Sequence, residues 1–165
     1  MTVTLCERTA DTVRIYFERA QQSRIRRTLP QKAKTLEEAL DDFKCTQLPG
    51  ANSFGRTIHM DGRYVGDVWI YCIDPAEMPN AMLSFCVFET DVWGRGVASE
   101  AVKLFLQEVE RRFNLSSVGA FTYADNTASV RVLEKNGFHL QERFMEDGVQ
   151  SCFYQKNRLE TQHIP

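Results

Sequence analysis

Two short segments carry residue types and spacings suited to holding an anionic ligand. The first, Trp93-Gly94-Arg95-Gly96-Val97-Ala98-Ser99, sets two glycines and a small residue where a strand stops and a helix begins. A helix start offers backbone N–H groups without intrahelical partners, and its dipole favours negative charge there. Gly94 and Gly96 let the main chain turn tightly and approach a ligand closely, Ala98 keeps the first helical turn slim, and Arg95 adds a cation. Two glycines also serve a purely structural strand-to-helix turn, and the loop alone leaves both readings open. It is not a P-loop, because no Gly-Lys-Ser/Thr follows. It is not the dinucleotide fingerprint either, because Glu100 stands where the third glycine would be. The second segment, Asp125-Asn126-Thr127-Ala128-Ser129, opens a later helix after another strand. If the two preceding strands are parallel neighbours, both openings lie on one sheet edge, where ligands of such sheets bind. His59, His139 and His163 are isolated, and no spacing suggests a metal site.

Several elements must position these segments. Residues 10–28 have helical periodicity, with Val13, Tyr16, Phe17 and Ala20 on one face, and Pro30 interrupts the chain. Thr35 caps a second helix that runs to about Lys44, with Glu38 completing a capping box. Pro49-Gly50 ends that section. Three strands follow, at Phe54–Met60, Tyr64–Ile73 and Met82–Glu89, the first two joined by the hairpin signal Asp61-Gly62. The third is nearly continuous in apolar residues, which predicts a central position. After the glycine loop, Ala98, Ala101, Val102, Phe105, Leu106, Val109 and Phe113 form the apolar stripe of a helix. A strand at Val118–Tyr123 leads to a helix capped by Asp125 or Asn126 and closed by Gly137. Two final strands, about 138–145 and 150–157, turn at Asp147-Gly148, and a polar tail occupies 158–165. The pattern predicts a three-layer α+β domain: a mixed, mostly antiparallel sheet of about 6–7 strands with about four helices on its faces. Residues 1–165 form one domain, with a core over 53–157 and an N-terminal helical pair over 10–44.

Composition agrees with a globular chain. Hydrophobic residues make up 43% and charged residues 25% of 165 positions, enough for one substantial core. The net charge of -2 argues against a nucleic-acid scaffold. Residues 1–34 nevertheless hold 8 Lys/Arg against 3 Asp/Glu, which would suit either a solvated helix face or an anionic partner. Cys6, Cys45, Cys72, Cys86 and Cys152 are scattered and odd in number, the pattern of free thiols in a reducing compartment. The N-terminus lacks an apolar signal region, and no apolar run approaches a membrane span. A cytoplasmic protein with neither nucleic-acid nor membrane partners is expected.

The two segments together resemble the signatures of the GNAT superfamily of N-acetyltransferases. Trp93-Gly94-Arg95-Gly96-Val97-Ala98 is similar to the family's acetyl-CoA loop, Gln/Arg-x-x-Gly-x-Gly/Ala. Asn126 to Phe138 resembles its second signature, N-x-x-[AS]-x-x-x-x-E-K-x-G-F, in the right order and about 30 residues on. Trp93 departs from the Gln/Arg start, and Trp-Gly-x-Gly is similar to the branch containing the ribosomal-protein N-terminal acetyltransferases. Leu133 stands where many members carry a tyrosine acid.

The resemblance implies an acetyl-CoA-dependent acyltransferase that moves an acetyl group directly to a primary amine, on a protein N-terminus or a small molecule, without a metal. It implies that backbone amides of residues 93–98 hold the pyrophosphate, that the pantetheine arm pairs with the strand end at Val87-Phe88, and that Asn126 bonds the arm. A backbone N–H near Phe88 would polarise the thioester carbonyl. The attacking amine must be neutral, so a proton acceptor is needed. Glu89 is the first candidate and Asp67 the second. Ser129 is the candidate acid for the leaving thiolate, with Tyr123 another donor. Trp69 and Tyr71 would line the acceptor groove or pack in the sheet; Arg24, Arg26 and Arg27 would border it. A monomer or homodimer is expected. Leu133 also admits an alternative, a non-catalytic acyl-CoA sensor of the same fold.

Overall fold

The computed structural model describes residues 1–29 and 33–158. Pro30, residues 159–165 of the expected tail, and His163 with them, lie outside the described residues. Seven strands form one sheet in the order β1-β2-β3-β4-β5-β7-β6. They are β1 (Val3–Glu7), β2 (Phe54–Met60), β3 (Arg63–Asp74), β4 (Asn80–Val87), β5 (Ser117–Tyr123), β6 (His139–Glu146) and β7 (Val149–Asn157). Every neighbouring pair is antiparallel except β4–β5, which is parallel. The helices are α1 (Ala10–Ala20), α2 (Ser23–Arg26), α3 (Leu36–Thr46), α4 (Val97–Arg112) and α5 (Thr127–Lys135), with a 3-10 turn at Thr90–Val92. The mixed, mostly antiparallel sheet with four long helices is the architecture that the sequence pattern predicts.

The two faces of the sheet are filled differently. On one, α4 contributes Ala101, Val102, Phe105 and Val109 to the main core, against Ile58, Val68, Ile70 and Leu83 of the sheet. Arg56 of β2 ties this layer by a two-pronged ion pair to Glu108, at 2.6 Å from Nη2 and 3.1 Å from Nε. On the other face, Ala20 and Ile25 of α1 and α2 pack on Cys86 and Phe88, with Tyr16, Tyr64 and Trp69 around them.

Two elements depart from the sequence expectation. The predicted helix over 10–28 is broken. α1 is started by a capping box between Thr9 and Thr12 and stops at Gln21, and Gln22 is extended at φ -61°, ψ 134° before α2 begins. A single straight helix could not bury both Ala20 and Ile25 on the same short stretch of sheet; the bend lets both reach 2% exposure or less. The N-terminal strand β1 was not anticipated. Its Val3 and Leu5 pack against the main core, and it pairs with β2 from Val3↔Met60 to Glu7↔Arg56. The capping box of α3 is as expected, Glu38 N–H donating to Thr35 Oγ1 at 3.1 Å and Thr35 N–H to Glu38 Oε2 at 3.3 Å. The hairpin signals hold as well: Asp61-Gly62 and Asp147-Gly148 are all at positive φ, the geometry of a tight type I′ turn.

Gly66 lies opposite Val87, and a Cβ there would sit 2.2 Å from the Cys86 carbonyl oxygen and 2.9 Å from Val87 Cα. Those are backbone atoms of a central strand and cannot step aside. Gly66→Ala is therefore expected to lower stability by roughly 2–3 kcal/mol, the upper part of the overpacking range. Gly148→Ala, in open space but at φ +76°, should cost only about 1 kcal/mol. Chemical denaturation of both variants checks the order.

Candidate active site

The parallel pairing of β4 with β5 covers only Asn80↔Ser117, Ala81↔Val118 and Met82↔Gly119. Beyond Met82 the strands part, although β4 continues to Val87 and β5 to Tyr123. The backbone groups left along this gap can be assigned by strand alternation. Phe88 N–H donates to Val65 O of β3 at 2.9 Å, so the even-numbered residues of β4 bond towards β3. Leu83, Phe85 and Val87 therefore point their N–H and C=O groups away from β3; the Leu83 N–H is taken by the closing pair Met82↔Gly119, and the groups of Phe85 and Val87 face the gap. The Val87 carbonyl confirms the direction, accepting from the Trp93 indole N–H at 2.8 Å on that side. On β5, Ala124 N–H bonds Gln150 O and Arg158 N–H bonds Ser116 O, which turns the polar groups of Phe121 and Tyr123 to the gap. The result is a wedge walled by peptide groups, closed at Met82–Gly119 and widening towards the glycine loop. An extended chain bearing amides fits such a slot by strand addition.

The wide end meets the start of α4. Gly94 and Gly96 are both left-handed, at φ +75° and +80°, and no side chain caps the helix. The first intrahelical bond is Glu100 N–H to Gly96 O, so the N–H groups of Val97, Ala98 and Ser99 precede the helical ladder. Trp93 is half exposed, with its indole pinned over the end of β4. Arg95 is exposed. The loop is braced from behind. Asn136, at the end of α5, donates from Nδ2 to Ser99 O at 3.2 Å and to Val132 O at 2.9 Å. Asn126 caps α5, its Oδ1 accepting from Ser129 N–H at 3.2 Å. That commits the oxygen and leaves the amide nitrogen to meet a ligand.

With this geometry in hand, comparison with known proteins is decisive for the family. The family described as "Acetyltransferase (GNAT) domain" matches residues 4–139. The chain belongs to the GNAT acetyltransferase family. A curated relative, the probable N-acetyltransferase YjcK of Bacillus subtilis (strain 168), is 30% identical over 86 residues. That match covers 52% of this chain and 47% of the relative, so the chain spans about half the length of the curated relative. Among solved structures, the acetyltransferase that modifies the N-terminal serine of ribosomal protein L7/L12 from Salmonella typhimurium has a TM-score of 0.78 at 17% identity, covering 96% of each chain. The aminoglycoside acetyltransferase AAC(6')-Ib, solved with an aminoglycoside and acetyl-CoA, has a TM-score of 0.78 at 14% identity and covers 96% of this chain and 94% of its own. The microcin C7 self-immunity acetyltransferase MccE, solved with acetyl-CoA and AMP, has a TM-score of 0.76 at 16% identity and covers 94% and 92%. At such identities these structures establish the shared fold.

On the face bearing α1–α3 this GNAT domain has a cavity of about 580 Å³. Arg8, Tyr16, Asp67, Trp69, Tyr71 and Ser84 are among its walls. Trp69 and Tyr71 thus line the cavity, and Trp69 also packs edge-on against Tyr16. Asp67 is 3% exposed. It accepts from the Tyr64 hydroxyl at 2.5 Å and pairs with Arg8 Nε at 3.1 Å. Burial pushes its carboxyl up, against the opposing pull of Arg8 and the Tyr64 hydrogen bond. Burial and the Asp67 charge likewise drive the Tyr64 hydroxyl far above its ordinary range.

Glu89 sits differently. Oε1 pairs with Arg19 Nη1 at 2.7 Å and Oε2 with Arg63 Nη2 at 2.8 Å. Arg63 also holds Asp91 at 2.8 Å, keeping that carboxyl below its usual range, and Arg24 Nη1 donates to Thr90 Oγ1 at 3.3 Å. The residues between β4 and the glycine loop are thereby clasped to α1, α2 and the β2–β3 hairpin. Of the arginines expected to border the groove, Arg24 belongs to this clasp; Arg26 and Arg27 are exposed. Leu133 is 1% exposed in the main core, so the position often held by a tyrosine offers no hydroxyl. Ser129 is half-buried in the first turn of α5, and Tyr123 closes β5. The Phe88 N–H itself is spent on Val65 and its ring is buried; the gap-facing donors near it are those of Phe85 and Val87.

Sequence reasoning missed Asn136, Arg19, Arg63 and Gly66. Asn136 lies within the second signature and carries a signal as the last polar residue before the helix-ending glycine; the others have none, since their partners are distant in the chain. No group of three or more His, Cys, Asp or Glu is placed to hold a metal among the described residues. No helix among them is long and apolar enough to cross a membrane.

Asn136→Ala should weaken coenzyme binding about fivefold, the loss of one net hydrogen bond bracing the loop, as read by calorimetry. Burial pushes the Cys86 thiol up to about 12, whereas Cys6, Cys45 and Cys72 are exposed. In the folded protein at neutral pH, alkylation should therefore mark Cys6, Cys45 and Cys72 first and leave Cys86 unmodified, as peptide mass mapping would show.

Proposed function

We propose that the chain is an acetyl-CoA-dependent N-acetyltransferase that transfers the acetyl group directly to a primary amine held in the α1–α3 cavity. The observation that carries this is the combination of three features: an amide-lined wedge between β4 and β5, a glycine loop at its wide end, and a 580 Å³ cavity walled by β3 and Ser84 of β4. In this proposal the N–H groups of residues 93–99 and the α4 dipole hold the pyrophosphate, with Arg95 beside them. The pantetheine arm lies in the wedge against Val87 and Phe85, with the Asn126 amide opposite. The N–H of Phe85 polarises the thioester carbonyl. The amine nitrogen forms a bond to the carbonyl carbon, the C–S bond breaks, and the proton lost by the amine is taken up by the protein or by water. Ser129 supplies the proton that the departing thiolate needs.

Of the two candidate bases, Asp67 is favoured by its surroundings. It lines the cavity, is desolvated, and faces one cation and one neutral hydroxyl. Glu89 faces two guanidinium groups, and its proposed part is to hold the acceptor-side helices against the coenzyme loop. The open cavity favours catalysis over the sensor alternative, in which the acceptor groove would be closed. Residues 53–157 are the proposed catalytic core of a single unit working in the cytoplasm as a monomer or homodimer. Among amine acceptors a small molecule and a protein N-terminus both fit a neutral-amine nucleophile, and both classes are represented among the structural relatives.

Release of free coenzyme thiol from acetyl-CoA, measured across a panel of peptides, amino sugars and polyamines, tests the proposal. Turnover with at least one class is expected, and none with any class would reject it. Asp67→Asn should lower kcat/KM by about a hundredfold or more, the contribution of a general base, and abolish the acid limb of its pH profile. That limb should fall above the ordinary carboxylate range, because the native pKa is raised. Glu89→Gln should keep the limb and lower kcat/KM by about tenfold or less.

A further inference from the structure

The closed end of the wedge is built from residues that no coenzyme-binding role accounts for. At Gly119, a Cβ would meet Phe153 Cε2 at 2.7 Å, Met82 Sδ at 2.9 Å and Phe153 Cζ at 3.0 Å. The space above this glycine is therefore filled by the Met82 thioether from β4 and the Phe153 ring from β7. Met82 opposes Tyr71, a wall of the cavity, so this plug stands on the cavity face of the sheet. Met82↔Gly119 is also the last pair before β4 and β5 separate. From Val87 to Met82 the wedge runs five residues, about 17 Å at the rise of a strand. A ligand arm entering at the glycine loop and lying along β4 thus has its reactive end directed at the Met82–Phe153 plug.

We propose that Met82 and Phe153 set the depth of this groove and restrict the transferred acyl group to two carbons. The inference rests on the coenzyme reading given above. The wall facing the acyl end is apolar: a thioether, the Phe153 ring, and Phe121, whose ring is tilted against Phe153 at 5.1 Å. It therefore accepts a methyl group, but its position leaves no room for a longer chain unless Met82 moves. Met82 is unbranched and only half-buried, so shortening it opens the groove without removing a fully buried side chain from the main core.

Calorimetric titration of the full chain with CoA, acetyl-CoA, propionyl-CoA and butyryl-CoA tests this without knowledge of the acceptor. For the native sequence, affinity should fall about tenfold or more from acetyl to butyryl, in place of the gain that two added methylenes bring in an open apolar groove. In Met82→Ala the butyryl and acetyl affinities should come within about threefold of each other. Both affinities are measured on the same sample, so their ratio cancels any loss of folded protein. Met82→Leu, which conserves volume, should restore the acetyl preference. Gly119→Ala, which forces Met82 and Phe153 to shift, should weaken acetyl-CoA more than CoA. Equal binding of acetyl- and butyryl-CoA by the native chain, or an unchanged ratio in Met82→Ala, would overturn the inference while leaving the coenzyme site in place. Failure to bind CoA itself would overturn both.

Discussion

The site depends on one constraint, that β4 and β5 pair for three residues and then part. A parallel pair inside a mixed sheet ordinarily continues for the length of its strands, because each unpaired peptide group in a protein interior costs free energy. Here the polar groups of Phe85 and Val87 on one side, and of Phe121 and Tyr123 on the other, are withheld from one another. The sheet stays whole because each strand keeps its other neighbour: β4 is laddered to β3 from Asp74↔Asn80 to Gly66↔Val87, and β5 to β7 over its full length. The gap is thus a local absence of pairing between two well-held halves, and it acquires the character of a binding slot without any loop having to form one.

Charge is arranged around that slot with a similar division. The proposed coenzyme side relies on peptide dipoles and an uncapped helix start, which are fixed in place by the fold and need no counter-ion in the free protein. The proposed acceptor side relies on ionised side chains, and nearly all of these are already paired. Arg19, Arg63, Glu89 and Asp91 form a partly exposed chain of ion pairs, individually weak but acting together on the short link between β4 and the glycine loop. Arg8 and Asp67 form a more buried pair at the floor of the cavity. Gly55 makes the second pair possible, since a Cβ there would lie 2.5 Å from the Arg8 guanidinium carbon.

How much of this was legible in the sequence depends on the range of the interaction. The glycine loop, the capping box at Thr35–Glu38 and both Asp-Gly turns are local devices, written in adjacent residues, and the structure has each in its expected place. The central position of β4 follows from its nearly continuous apolar run, broken only by Ser84 between Met82 and Phe88. By contrast, the break at Gln22 reflects the need to seat Ala20 and Ile25 on the same patch, a tertiary demand overriding continuous helical periodicity. β1 is five residues long and half exposed, so its alternation was too brief to separate from a polar leader. Glu89 stood out as a lone strand-end carboxylate because Arg19 and Arg63, which neutralise it, lie 70 and 26 positions away.

Two other strand glycines, Gly66 and Gly119, keep the slot in shape. Gly66 lets β3 approach the Cys86 carbonyl and Val87 Cα at the far end of β4, and Gly119 lets β5 receive Met82 and Phe153 at the near end. Strand interiors disfavour glycine, since it brings no side chain to pack and loses much backbone freedom on folding. Its presence at these two places marks close approach. With one end of β4 drawn onto β3 and the other onto β5, the strand is held at both ends, while from Phe85 to Val87 one edge is left unpaired by any strand. The width of the slot is then set by backbone contacts at Gly66 and its depth by side chains at Gly119. A change at Gly66 therefore acts on everything that enters the wedge, whereas a change at Met82 acts only on what reaches its end.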